Sequence, residues 1–265
     1  MIINDSFINI NKYLAKENKN DTTLVFTHGL AEYSKSYIEI ATFFQEKGFN
    51  VITYDLRGHG KSFGKRGDIE SYQEYLDDLN EIVIMAKKLS SKVFLVGHSM
   101  GGIITNLYTS LNNNVNGVII SSSPTDYLDR VKSMRYLPKF LVNNKRLKTS
   151  FNDPKLTANL NYVKDAYDLD YVYIRITTEV LVRAIKKLKR NYKNYTTPAL
   201  FLYSKKDELV NYTNGEYIMS MIKSEDKELI LYENSNHNIF IDIEKEQIYF
   251  DILKWLNDRI WKNIW

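Results

Sequence analysis

One stretch limits what this chain can fold into more than any other: residues 92–105, KVFLVGHSMGGIIT. Residues 93–96 form a short apolar run of the length and composition of a buried strand. Gly97-His98-Ser99-Met100-Gly101 follows, and residues 102–111 are mostly apolar and helix-like. Strand, sharp turn with serine, then helix is the setting in which G-x-S-x-G lifts a nucleophile off the end of a sheet. The glycines have a physical reason. The turn is tight, and side chains at 97 and 101 would force helix and strand apart. The turn also sets Ser99 at a helix N-terminus, where free N–H groups and the dipole favour negative charge.

The rest of the chain supplies the surroundings of that strand. Residues 2–14 alternate weakly, as an opening strand pair would. Strands are expected at 23–27 (TLVFT), 50–55 (NVITYD), 116–121 (NGVIIS), 199–203 (ALFLY) and 228–232 (ELILY). Helices are expected at 37–47, ending at Gly48, at 68–90 with an acidic start and a basic end, and at 244–264. Strands alternating with helices need crossover connections and give a mainly parallel sheet. From 124 to 197 the strand pattern stops. Charged, Tyr-rich, helix-spaced segments follow one another, punctuated by Pro138 and Pro154. The expectation is one α/β domain over 1–265, a mainly parallel sheet flanked by helices, with a helical cap inserted at 124–197. Apolar side chains of that cap, among them Leu128, Phe140, Leu141, Tyr162, Tyr167 and Leu181, would roof a cavity at the carboxyl ends of the strands.

A serine hydroxyl is a weak nucleophile until a base lies within hydrogen-bond reach. The chain has four histidines. His28, His59 and His98 adjoin glycines before or at the elbow. Only His237 follows it, just past the strand at 228–232. The base needs a carboxylate to fix its tautomer and stabilise the imidazolium. Asp207 stands just past the strand at 199–203, in SKKDELV; its neighbour Glu208 is the rival, and Asp207 is preferred as the first after the turn. Ser99, Asp207, His237 is the chain order of α/β-hydrolases. A developing oxyanion needs two donors. The N–H of Met100 is one, and the N–H of Leu30, in the loop His28-Gly29-Leu30, is the other.

The chain at this point resembles the monoglyceride lipase-like serine hydrolases, a group that includes bacterial lysophospholipases. The matching pieces are HGLAEYSKSY (28–37), DLRGHGKSFGKRGDI (55–69), GHSMGG (97–102), SKKDELV (204–210) and NSNH (234–237). The resemblance implies the α/β-hydrolase fold, a cap at 124–197, a triad of Ser99, Asp207 and His237, and backbone donors at Leu30 and Met100. It also points to Glu32, Ser36 and Phe240 as substrate-binding positions. There the chain departs from the family: Tyr33 replaces a histidine, Ser36 an arginine and Phe240 a second histidine. A glycerol head group is therefore poorly provided for, while ester hydrolysis is untouched.

The expected activity is serine carboxylic-ester hydrolysis of a small-molecule acyl ester through an acyl-enzyme. Monoacylglycerols, lysophospholipids and simple medium-chain esters are the candidates. The same triad would serve an amidase or peptidase, and an inactive ligand-binding protein is the alternative from another class. Cysteine is absent, which removes disulfides and thiolate chemistry and suits a reducing compartment. No cluster has metal-ligand spacing, and neither metal nor cofactor is expected. A net charge of +4 is too small to argue for nucleic acid. The opening MIINDSFINI has no signal-peptide pattern, and no apolar run nears the ~18 residues of a membrane span. A cytoplasmic location is therefore expected. Asp55, Arg57 and His59 read as braces of their loop. Lys186, Lys187, Lys189, Arg190 and Lys193 read as a solvated helix face with weak contact to an anionic lipid surface as the alternative, and Trp255, Trp261 and Trp265 as packing residues.

Overall fold

In the computed structural model, which describes residues 1–3, 6–136, 138, 144–149, 155–159 and 169–260, the apolar runs line up side by side in one sheet. The strands are β1 (Ile2–Ile3), β2 (Ser6–Phe7), β3 (Ile10–Tyr13), β4 (Thr22–Thr27), β5 (Asn50–Tyr54), β6 (Lys92–His98), β7 (Gly117–Ser121), β8 (Arg146–Lys148), β9 (Tyr171–Tyr173), β10 (Ala199–Ser204) and β11 (Lys227–Tyr232). Seven of them form the main sheet in the order β11-β10-β7-β6-β4-β5-β3. Only β3 runs antiparallel, against β5. The opening strand pair takes a fuller form than expected: β1 pairs with β2 in a two-residue ribbon, and β3 joins the main sheet.

The helices are α1 (Ile38–Glu46), α2 (Tyr72–Lys87), α3 (Met100–Asn112), α4 (Asp129–Lys132), α5 (Ile174–Thr177), α6 (Ile185–Asn191), α7 (Thr213–Met221) and α8 (Lys245–Ile260). A π-helical stretch, Thr178–Ala184, joins α5 to α6. The helix expected from 68 starts at 72 because Ser71 caps it. The Ser71 hydroxyl accepts from Gln73 N–H, and Glu74 reaches back to the Ser71 N–H. α7 has no counterpart in the sequence reading. Its apolar pattern is thin, and Gly215 sits inside it because Leu229 and Tyr203 pack where a Cβ would go.

Alternate residues of each strand serve opposite faces. Val25, Leu95, Ile120 and Phe201 point toward α2, α3 and the 174–195 segment. Leu24, Val96, Ile119 and Leu202 point toward α1 and α8. Strands buried on both faces show no alternation in polarity, which is why they read as continuous apolar runs. Trp255 of α8 is buried edge-on against Phe94. Trp261 and Trp265 lie outside the described residues.

The segment expected as one helical cap divides in two. Residues 174–195 belong to the body: Ile176, Val180, Ala184, Ile185, Leu188, Tyr192 and Tyr195 are buried in the core shared with α3. The Tyr195 hydroxyl donates to Asn106 of α3 at 3.0 Å. The remainder of the expected insertion, 124–173, is termed the overhang; among its described residues Leu169 and Val172 join the same core. Its described part is not purely helical either. It holds α4, a 3-10 turn over Ser133–Tyr136, and the antiparallel ribbon of β8 and β9. Three-residue strands are too short for a period to show in sequence. The ribbon is tied to the body by Tyr173 N–H on Gly67 O at 2.8 Å, and α5 just after it is held by Arg175, whose guanidinium takes both oxygens of buried Asp68. Phe140, Leu141, Tyr162 and Tyr167 lie outside the described residues. Among the described residues no helix is long and apolar enough to cross a membrane.

Candidate active site

The sheet order fixes where a site can form. From β4 the chain moves outward to β5, then returns to the other side of β4 for β6 and continues to β7. The loops leaving β4 and β6 therefore diverge, and ligands of open α/β sheets bind in the crevice at such a switch point. The loop after β4 carries Leu30 and Glu32, and the turn after β6 carries Ser99.

Ser99 has φ 51° and ψ −119°, a conformation that costs an L-residue energy and persists only where the surroundings enforce it. The enforcement is visible. Its N–H bonds Ser121 O at 2.9 Å, and its carbonyl accepts from Gly102 and Ile103 at the start of α3. Gly101 is required: a Cβ there would overlap the carbonyl oxygens of Thr27 and His28. The close approach of α3 to the end of β4 thus depends on a bare backbone.

Ser99 Oγ lies 2.9 Å from His237 Nε2, and His237 Nδ1 lies 2.8 Å from Asp207 Oδ2. A carboxylate only accepts, so Nδ1 carries the proton and Nε2 presents its lone pair to the serine. The other Asp207 oxygen accepts from the N–H groups of Leu209 and Val210 at 2.8 and 2.9 Å, which fixes the carboxylate plane. Glu208 points outward and pairs with Lys155 at 2.8 Å. The His237 loop is anchored by the overhang: His237 N–H bonds Lys155 O at 3.1 Å and Asn238 N–H bonds Leu156 O at 2.8 Å.

Leu30 and Met100 line the same cavity as Ser99 and His237. Met100 opens α3, where first-turn N–H groups lack intrahelical acceptors. Glu32 is buried, and both its oxygens are engaged. Oε2 accepts from Gly29 N–H at 2.8 Å and from the Tyr37 hydroxyl at 2.7 Å; Oε1 accepts from Asn238 Nδ2 at 2.6 Å. Burial pushes its carboxyl upward in pKa, against the pull of those donors. His98 is buried with its ring centroid 5.0 Å from that of His237. Burial, then the neighbouring His237, holds it well below the usual histidine range, so it stays neutral.

The cavity above Ser99 measures about 510 Å³, within the span of small-molecule sites. Its walls are largely apolar: Leu128, Val131 and Met134 from the overhang, Leu147 and Val172 from the β8–β9 ribbon, and Leu181 from the body. Two of the three positions expected to bind substrate are not in this lining. Phe240 is fully buried against Phe26, Tyr37 and His98, so it fills core. Ser36 is buried in the 3-10 turn before α1. Glu32 does line the cavity, with its oxygens already taken. The sequence reading missed Asn238 and Tyr37; beside His237 and Glu32 they read as ordinary loop and helix residues.

The glycine-rich loop after β5 braces the site from outside. Asp55 accepts from Ser34 and Lys61 N–H, both at 2.8 Å, and from Asn9 Nδ2 at 2.9 Å. Gly60 is needed there because a side chain would overlap the Asp55 carboxylate. Arg57 grips Asp78 of α2 with two hydrogen bonds. On α6, Lys189 pairs with Asp126, while Lys186, Lys187 and Arg190 are exposed. Among the described residues no group of three or more His, Cys, Asp or Glu could hold a metal ion.

Comparison with known proteins agrees with this architecture. The model of the Hydrolase_4 family, described as serine aminopeptidase, S33, matches residues 18–244. Phospholipase YtpA of Bacillus subtilis is 25% identical over 248 residues, covering 88% of this chain and 94% of that protein. Human monoglyceride lipase is 25% identical over 253 residues, covering 89% and 82%. An uncharacterised abhydrolase domain-containing protein of Dictyostelium discoideum is 28% identical over 90% of this chain, which spans only 26% of that longer protein. The crystal structure of Paleococcus ferrophilus monoacylglycerol lipase superposes with a TM-score of 0.83 at 25% identity, over 96% of this chain and 99% of that one. The chain belongs to the Hydrolase_4 family and is a serine hydrolase of the lipase and esterase type on the α/β-hydrolase fold.

Proposed function

We propose that the protein hydrolyses carboxylic esters of acyl chains, with Ser99 as nucleophile, His237 as general base and Asp207 as the group that orients His237. The hydroxyl proton passes to His237 Nε2 as Oγ attacks the carbonyl carbon. The N–H groups of Leu30 and Met100 receive the oxyanion. His237 returns the proton to the departing alcohol, and water resolves the acyl-enzyme by the same route. The observation that carries this reading is the 2.9 Å contact of Ser99 Oγ with His237 Nε2 at the base of an apolar cavity.

The overhang at 124–173 acts as the cap. Each methylene buried beneath it is worth about 0.8 kcal/mol, close to fourfold in kcat/KM. Medium chains are therefore favoured over acetyl. The alcohol side is weakly specified, because Ser36 and Phe240 do not reach the cavity. The relatives are named for monoglycerides and phospholipids, and monoacylglycerols and lysophospholipids join simple esters as substrates. An aminopeptidase would need a carboxylate free to receive the substrate ammonium. Glu32, the acidic residue in the described lining, has both oxygens occupied, which favours esters. The place of work is the cytoplasm, with weak contact to lipid surfaces through the exposed cations of α6.

The test is Ser99→Ala, assayed with a chain-length series of aryl esters and with a fluorophosphonate label. Turnover should fall by orders of magnitude and labelling should vanish with the fold intact. Near-normal hydrolysis by the variant would remove the reading.

A further inference from the structure

Glu32 has no part in the triad, yet its buried carboxyl group is shared by the two loops that carry Leu30 and His237. One of its oxygens holds Gly29 N–H, one residue before the Leu30 donor. The other holds the side chain of Asn238, one residue after His237. The two loops leave different strands and are 206 residues apart in sequence. Tyr37 supplies a third donor and roots the carboxylate on the turn that leads into α1. A buried ion so placed is costly unless each lone pair is used, and here three donors converge on it.

We propose that Glu32 is a positioning residue: a latch that sets the Leu30 N–H and His237 at a fixed separation across Ser99. This rests on the reading of Ser99 and His237 given above, and it assigns Glu32 a task other than gripping a substrate head group. Acyl transfer needs the base and the oxyanion donors placed together around one carbonyl. Asp207 orients the imidazole about its own axis. It does not tie the His237 loop to the loop after β4. The Glu32–Asn238 hydrogen bond makes that tie.

The geometry also says which replacement preserves the latch. Asn238 Oδ1 is buried and has no hydrogen-bond partner among the described residues. In Glu32→Gln, the amide oxygen still accepts from Gly29 and Tyr37, and its NH2 faces Asn238. A half-turn of the Asn238 amide then presents Oδ1 to that NH2, and the bond re-forms with donor and acceptor exchanged. Glu32→Ala has no such recourse. Asn238→Leu keeps the volume but offers no donor.

The experiment compares kcat and KM of the full chain for a medium-chain aryl ester. The variants are Glu32→Ala, Asn238→Leu, the double variant, Glu32→Gln and Ser99→Ala. Glu32→Ala and Asn238→Leu should each lower kcat ~10- to 100-fold with KM within about twofold, the size of effect expected when a reacting group is misplaced. The double variant should be no worse than Glu32→Ala alone, since both remove one coupling. Glu32→Gln should recover most of the loss. Unchanged kcat in folded Asn238→Leu overturns the latch, as does Glu32→Gln being as damaging as Glu32→Ala. If Glu32→Ala fails to fold, Asn238→Leu and Glu32→Gln decide alone. Ser99→Ala separates the two possible failures. Near-normal turnover there removes the nucleophile, whereas an inactive Ser99→Ala beside a fully active Asn238→Leu removes only the latch.

Discussion

Two neighbouring stretches, 124–173 and 174–195, look alike in sequence: charged, tyrosine-rich and broken by few turns. Their described residues are used differently. The second buries Ile176, Val180, Ile185, Leu188 and Tyr195 against α3 and completes the core. The first presents half-exposed side chains such as Leu128 and Leu147 to the cavity above Ser99. Among the described residues the second stretch is mostly core, and the first supplies much of the cavity wall, to which Leu181 of the second also contributes. The passage from one to the other is gradual: Leu169 and Val172 are already in the core before β9 ends at Tyr173 and α5 begins at Ile174.

The largest effect that would sharpen this contrast is acid sensitivity, because all four histidines lie in the body and none in 124–195. Burial first, then the nearby His28, pushes His59 down from the usual histidine value to about 3. The unfolded chain therefore takes up this proton before the folded one does. Stability is full above about pH 6.5 and is lost as pH falls toward 3, by about 5 kcal/mol for this group at ~1.4 kcal/mol per pKa unit. His59→Asn should flatten the pH dependence of denaturant midpoints by about one proton across that window. An unchanged slope would mean that acid acts elsewhere.

Next in size is Leu188→Ala in α6. The side chain is fully buried in the core with α3, and its loss should cost ~2–5 kcal/mol in urea unfolding. Chain-length selectivity should stay as it was. The smallest effect on the fold and the clearest on the substrate belongs to Leu128→Ala. It should cost under ~1 kcal/mol of stability, because the side chain is only partly buried. It should weaken the preference for longer acyl chains by about fourfold per methylene that loses its contact. If Leu128→Ala unfolded the protein, or Leu188→Ala changed chain selection first, the two stretches would not differ as described.

Much of the fold was open to reading because the central strands are buried on both faces and stand out as apolar runs. The elbow was legible for a different reason: Ser99 holds a backbone few residues adopt, and Gly97 and Gly101 stand where a Cβ would overlap neighbouring atoms. Asp207 and His237 were read as partners of Ser99 from their positions after β10 and β11, and hydrogen bonds join the three. Harder to see was the change of role near 173, since the period of a cap helix and that of a core helix are the same. β8 and β9 were too short to declare themselves. Glu32 was noticed, but its partners Tyr37 and Asn238 were not, because three residues meeting from two loops leave no spacing in the chain. Phe240 and Ser36 were misplaced for the converse reason: a sequence position near a site does not say which way its side chain faces.

The residues that steady the His237 loop from above do so with main-chain atoms. Lys155 and Leu156 offer carbonyl oxygens to His237 and Asn238, while the Leu156 side chain faces the cavity. A carbonyl is the same whatever side chain is attached. A substitution at 156 would therefore reshape the cavity wall while leaving the anchorage of the His237 loop in place.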